Sequence, residues 1–290
     1  MGWLPLTLLC AWSLASADAA TKRWLRDYRP SELVLIRFAC TGLLLAPSLL
    51  VQPLPSLPWA FWGWIAALLP LELLAMLLYM RAIRDSPLSL TLPYLAFTPV
   101  LTSLTGLVVL GERVSPLGLF GIVLVVAGAY LLNLHPDHGA GARLWWAPLR
   151  AVLADPGARL MLAVAAIYSV TSVLGKGALQ YLSPATFGPL YFGLLGLATM
   201  LLFALSGRPI VSVLRRRPAV HLLVGALMAV MVVSHFLALA KVEVAYMIAV
   251  KRTSLLFGIV YGTLWFAEPA LPQRLLGGFL MVAGVILIAL

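Results

Sequence analysis

The stretch GLVVLGERVSPLGLFGIVLVVAGAYLLNL, Gly106 to Leu134, returns in altered form 156 positions later as GTLWFAEPALPQRLLGGFLMVAGVILIAL, Gly262 to Leu290. Eleven of the 29 aligned positions are identical. They include Glu112 with Glu268, Pro116 with Pro272, Gly121 with Gly277, and the Val-Ala-Gly runs that end at Gly128 and Gly284. Chance similarity between two apolar helices would match leucines, whereas here the turn residues and the charge match. An offset of 154 pairs Lys22 with Lys176, Pro30 with Pro184 and Gly42 with Gly196, so the repeat reaches the opening of both halves.

Composition says in what solvent such a repeat folds. The chain has 290 residues, of which 62% are hydrophobic and 10% charged, and its mean hydropathy is +1.02. A soluble domain keeps roughly a quarter of its residues charged, so this chain lacks the polar shell it would need in water and reads as an integral membrane protein. The net charge of +10 does not point to nucleic acid. The basic residues cluster between apolar runs, as at Lys22, Arg23, Arg26 and Arg29 or at Arg215, Arg216 and Arg217, which is how membrane proteins set their topology. Cys10 and Cys40 lie in apolar stretches and act there as small packing residues.

A bilayer core of about 30 Å takes about 20 helical residues, and turns or charges divide the chain at that interval. Ten spans are predicted: 2 to 21, 31 to 52, 57 to 82, 87 to 110, 115 to 134, 158 to 181, 185 to 206, 218 to 240, 243 to 266 and 271 to 290. The first is read as a retained span and not a signal peptide, because it has no basic leader and because the repeat gives it a counterpart. The organisation predicted is a five-helix repeat at 1–134, a linker at 135–157 and a second five-helix repeat at 158–290. Five is odd, so the second repeat enters the membrane from the opposite face, the inverted plan of many secondary transporters.

The segment LSLTLPYLAFTPVLTSLTGLVVLGERVSPLGLFGIVLVVAG, with its proline-containing span, Gly-Glu pair and glycine-rich span, resembles the EamA family of the drug/metabolite transporter superfamily. Trp12, Lys22 and Arg37 share in the resemblance, which covers nearly the whole chain. The second copy departs from the pattern, with Ala267 before Glu268 and no proline opposite Pro99. The resemblance implies a ten-helix carrier of amino acids, metabolites or drugs with a central cavity and both termini in the cytoplasm. Loop charge argues the reverse orientation, with the termini outside, because the loop from Arg208 to Arg217 is basic and that from Gln52 to Leu57 carries no charge.

A charge at mid-membrane costs roughly 2.5–3.5 kcal/mol on insertion scales, so each needs a partner or a task. In AYMIAVKRTSLLFGIVYG, helical spacing puts Lys251, Ser254, Gly258 and Tyr261 on one stripe beside Arg252, a cationic and hydroxylated face suited to a carboxylate or phosphate. The alternative is that Lys251 and Arg252 neutralise Glu72 or snorkel to an interface. Glu72 and His235 are candidates for proton coupling, each with a packing or ion-pair alternative. Lys176 aligns with Lys22 but has Ser172 where Asp18 stands, so it lacks a local countercharge and is a substrate-binding candidate; Arg37, a third of the way into span 2, is expected either to pair there or to bind substrate. Structural roles are expected for the four-apart pair Asp18 and Lys22, for Glu112 and Glu268 as helix anchors, and for Gly128 and Gly284 in close packing between spans 5 and 10 or between protomers.

No metal-ligand spacing, phosphate-binding loop or nucleophile motif is present, so neither cofactor nor enzyme activity is expected. The function expected is secondary transport of a small anionic or zwitterionic metabolite across the plasma or inner membrane, by a monomer or homodimer with possible proton coupling. The alternatives are a flippase for a phosphorylated lipid carrier and a non-transporting scaffold.

Overall fold

The structure, a computed structural model, describes residues 1–51, 54–85, 94–132, 156–266 and 272–290. Among these residues there is no strand. The helices are α1 (Trp3–Trp24), α2 (Pro30–Val51), α3 (Trp59–Asp85), α4 (Thr98–Leu110), α5 (Pro116–Leu132), α6 (Pro156–Ala178), α7 (Pro184–Leu205), α8 (Ile210–Arg215), α9 (Pro218–Leu239), α10 (Val244–Lys251), α11 (Ser254–Phe266) and α12 (Pro272–Ala289). Prolines at the first turns of α2, α5, α6, α7, α9 and α12 start helices where a missing N–H costs nothing. Among the described residues six segments are long and apolar enough to cross a membrane, one of them formed by α10 and α11 together, and α4, α5 and α12 are shorter apolar helices. The expected linker 135–157 lies outside the described residues except for its last two positions, which begin α6.

The repeat is visible as reciprocal packing. Gly121 meets the Gly284 carbonyl and Gly284 meets the Gly121 carbonyl, so a Cβ on either would stand 2.8 Å or less from backbone oxygen. Gly128 makes the same approach to the Gly277 carbonyl. Since Gly277 and Gly284 are the repeat partners of Gly121 and Gly128, the α5–α12 contact is its own mirror under exchange of the halves. A second contact behaves alike: Gly42 faces the Phe192 carbonyl and Gly196 faces that of Phe38, with the Phe38 and Phe192 rings 5.8 Å apart. Small residues at these crossings let backbones touch, which is how helices associate where lipid supplies no hydrophobic drive. The close packing expected at Gly128 and Gly284 thus lies within one chain. The other major pairings, α1 with α9 and α3 with α6, exchange with each other in the same way.

The two halves also break a helix at the same repeat position. In the first, the chain turns at Ala96 and Phe97 before α4; in the second it turns at Arg252 and Thr253 between α10 and α11. The Phe97 N–H bonds to the Tyr94 carbonyl at 3.2 Å, and its repeat partner Thr253 bonds to the Val250 carbonyl at 3.0 Å. Both are three-residue bonds that tighten the helix into a 3-10 turn. Pro99 explains the first break. It offers no N–H to the Leu95 carbonyl, which instead accepts from the Thr98 hydroxyl at 2.6 Å. The second break has no proline, and there the N–H groups of Arg252, Thr253, Leu255 and Leu256 each take the carbonyl three residues back.

The candidate transport site

This break overturns the stripe expected along span 9. Lys251 ends α10, whereas Ser254 and Tyr261 belong to α11, so one helical phase does not run through all of them. Tyr261 is engaged with Ser16 of α1, hydroxyl to hydroxyl at 2.6 Å. The break instead presents the two cations separately, Lys251 on the last turn of α10 and Arg252 in the turn itself, a little over a third of the way along the 243–266 segment.

Around them stand side chains from four other helices. The Lys251 ammonium donates to His235 Nδ1 of α9 at 3.3 Å and lies 3.9 Å from the Met231 sulfur. Neither contact brings a carboxylate against the ammonium. Arg252 is 8% exposed and its Nε is buried with no hydrogen-bond partner. Neither cation makes an ion pair among the described residues. Their electrostatic neighbours are Cys10 of α1, Tyr79 and Glu72 of α3, and Tyr168 of α6. Glu72 takes a hydrogen bond from Thr171 of α6 and feels the Lys251 charge without bonding to it. A further orphan polar atom close by is the Tyr191 hydroxyl of α7, which is buried and unpartnered and within electrostatic reach of Glu72 and Tyr168.

Arg37 belongs to a different unit. Its guanidinium pairs with Asp18 at 2.5 Å and donates to the Thr21 hydroxyl at 3.2 Å, while the Tyr79 hydroxyl donates to the other Asp18 oxygen at 3.3 Å. Arg37 thus makes the in-membrane ion pair that was one of its two expected roles. Asp18, expected to pair along its own helix with Lys22, reaches across to α2 and α3, and α1, α2 and α3 are stapled by a charge-neutral cluster. Lys176, read as uncompensated, has a countercharge as well. It forms an ion pair with Glu112 and donates to the Val242 carbonyl at 2.6 Å, so its countercharge comes from the other repeat and its amine is held at the end of α6. Glu112 also accepts from the Val244 N–H at 2.8 Å, capping α10, so the helix it holds belongs to the other repeat and is not the next one, α5, as the sequence led us to expect. Glu268 lies outside the described residues. No cluster of metal-ligating side chains occurs among the described residues.

Sequence reasoning places Tyr79 on the face of Glu72 but misses Tyr168, Tyr191 and Thr171 as members of the central cluster. Each is a common apolar-helix residue in the primary sequence, and only the convergence of α3, α6 and α7 distinguishes them.

What this arrangement defines is a helical membrane protein with two central cations, Lys251 and Arg252, that make no ion pair among the described residues, set between two pseudosymmetric halves. The EamA-like transporter family model matches residues 1–134 and 155–290. The chain belongs to that family and is a multi-pass integral membrane protein of the drug/metabolite transporter type. A comparison with curated proteins finds no match. A solved crystal structure is similar in fold, with a TM-score of 0.72 and 17% identity over 98% of this chain and 94% of the other.

Proposed function

We infer that the chain is a secondary transporter of a small organic anion or zwitterion, which it binds at Lys251 and Arg252 and passes across the membrane by alternating access between ten-span inverted repeats. The observation that carries this reading is the cation pair, Arg252 buried and Lys251 half-buried, which makes no ion pair with a carboxylate among the described residues. Isolated charges in a low-dielectric interior are costly, and a chain that retains two of them at a helix break, with a free guanidinium N–H, is built for a negative ligand. Once bound, a carboxylate or phosphate would take bidentate hydrogen bonds from the guanidinium and a point charge from the ammonium. The helix break itself supports the assignment, since discontinuous helices at mid-membrane form the binding sites of many inverted-repeat carriers.

Glu72 is the coupling group in this reading. It feels the Lys251 charge and makes no ion pair among the described residues, so a change in its protonation alters the charge that the anion meets. His235 holds Lys251 in place by accepting a hydrogen bond from its amine, and serves as a second proton-handling group. The cell or inner membrane is the proposed location.

The test is uptake into proteoliposomes of labelled small carboxylates and phosphate esters, with and without a proton gradient. The expected result is saturable uptake of at least one anion that is lost in K251Q and R252Q and becomes insensitive to the proton gradient in E72Q. Uptake unaffected by both cation substitutions would overturn the site.

A further inference from the structure

The rigid element that carries Lys251 is only eight residues long, about 12 Å at the helical rise, and its far end is held by the other half of the molecule. Glu112, in the turn between α4 and α5, uses one oxygen to accept the Val244 N–H at the start of α10 and the other to pair with Lys176 at the end of α6. Lys176 in turn donates to the Val242 carbonyl, one residue before the α10 cap. A second contact reinforces the first: the Ser115 N–H donates to the Tyr246 hydroxyl at 2.8 Å, and that hydroxyl donates to Ser115 Oγ at 3.1 Å. Gly111, at φ +70°, makes the left-handed turn that brings Glu112 back over its own helix, a conformation that suits glycine.

We propose that Glu112 is a positioning residue of the transport site, latching the N-terminus of α10 to the α4–α5 turn and through that helix setting where Lys251 and Arg252 stand. This rests on the transport reading above. Three features fit a latch that opens better than a permanent brace. The pair is polar and partly exposed, with the Glu112 and Lys176 side chains 15% and 23% accessible, so water can take over its hydrogen bonds when it parts. It borders a cavity of about 300 Å³ that is also lined by Arg113, Lys241 and Glu243, a space already wide enough for solvent. And it joins the two repeats at the point where α10 would have to leave α4 for this face to open, since α10 packs chiefly on α4 and α1. The same carboxylate therefore ends the closed state at one face and orients the cations in the centre.

The experiment uses the full-length protein with Cys10 and Cys40 replaced by alanine and one reporter cysteine introduced at a time. Ala245→Cys reports on α10, where the native residue is 2% exposed, and Ala165→Cys reports on the interior of α6, where it is fully buried. With Glu112 present, the α10 reporter should react slowly with a membrane-impermeant maleimide. E112A should raise that rate at least tenfold, E112Q by less because its amide oxygen still accepts from Val244, and E112D should stay near the parent rate. The α6 reporter should remain slow throughout. In uptake assays E112A should raise KM at least fivefold with a smaller change in maximal rate. Equal labelling of the α10 reporter with and without Glu112, or a parallel rise at both reporters, would overturn the latch. If the parent protein moves no anion, the transport reading falls, while the labelling still decides what Glu112 does.

Discussion

The turn at Ala96–Phe97 and the turn at Arg252–Thr253 occupy the same place in the two repeats and share a hydrogen bond, yet they are chemically unlike. The first is made by Pro99 and repaired by the Thr98 hydroxyl, and its residues are apolar, with Ala96 buried. The second has no proline and places Arg252 where the first has alanine. Duplication thus supplied two equivalent interruptions, and only one of them acquired charge. The pair shows that a broken helix is a property of the architecture, whereas an anion site needs a particular side chain in the break.

The most damaging change to this asymmetry is removal of the charge. R252Q should lower anion uptake at least a hundredfold, about 2.7 kcal/mol at a tenfold per 1.36 kcal/mol, while A96S in the equivalent turn should leave uptake within twofold. Uptake kinetics in proteoliposomes check both, and an equal loss in the two variants would dissolve the distinction. Making the first break resemble the second should fail for the opposite reason. A96R buries a cation with no ligand to meet it, and a cost of roughly 2.5–3.5 kcal/mol should appear as a markedly lower melting temperature and yield in detergent.

The reciprocal glycine contacts set the frame in which the two breaks are equivalent. G284L should clash with the Gly121 carbonyl and Val125 and destabilise by roughly 1–3 kcal/mol, the usual range for overpacking, as read by thermal unfolding. The smallest effect concerns the repair of the proline break. T98V removes the donor to the Leu95 carbonyl and should cost about 1 kcal/mol, whereas T253V in the other turn removes a donor to Val250 and should in addition weaken uptake, because that turn carries Arg252. Equal phenotypes would mean that the second turn is not the site.

Much of the frame is legible in the primary sequence, because membrane helices announce themselves by length and apolarity and because a duplicated turn leaves the same glycines, prolines and glutamate in both copies. The cation pair is legible for the same reason: in a run such as AYMIAVKRTSLLFGIVYG, two adjacent charges have no apolar explanation. Geometry inferred along one helix is what failed. The stripe joining Lys251 to Tyr261 assumes an unbroken span, and no proline warns otherwise. Lys176 reads as uncompensated because its partner, Glu112, lies 64 residues away in the other repeat. Asp18 pairs on paper with its neighbour along the helix, although Arg37 and Tyr79 reach it from two other helices.

By itself, then, the sequence determined the solvent, the helical class, the twofold repeat and the presence of buried charge, since each depends on composition or on recurrence along the chain. Only the tertiary structure decided which charges are cancelled. Whether a lysine or arginine stands ready for a ligand depends on carboxylates within about 4 Å in space, and in this fold those come from outside the cation's own helix: Asp18 of α1 for Arg37 of α2, and Glu112 of the α4–α5 turn for Lys176 of α6.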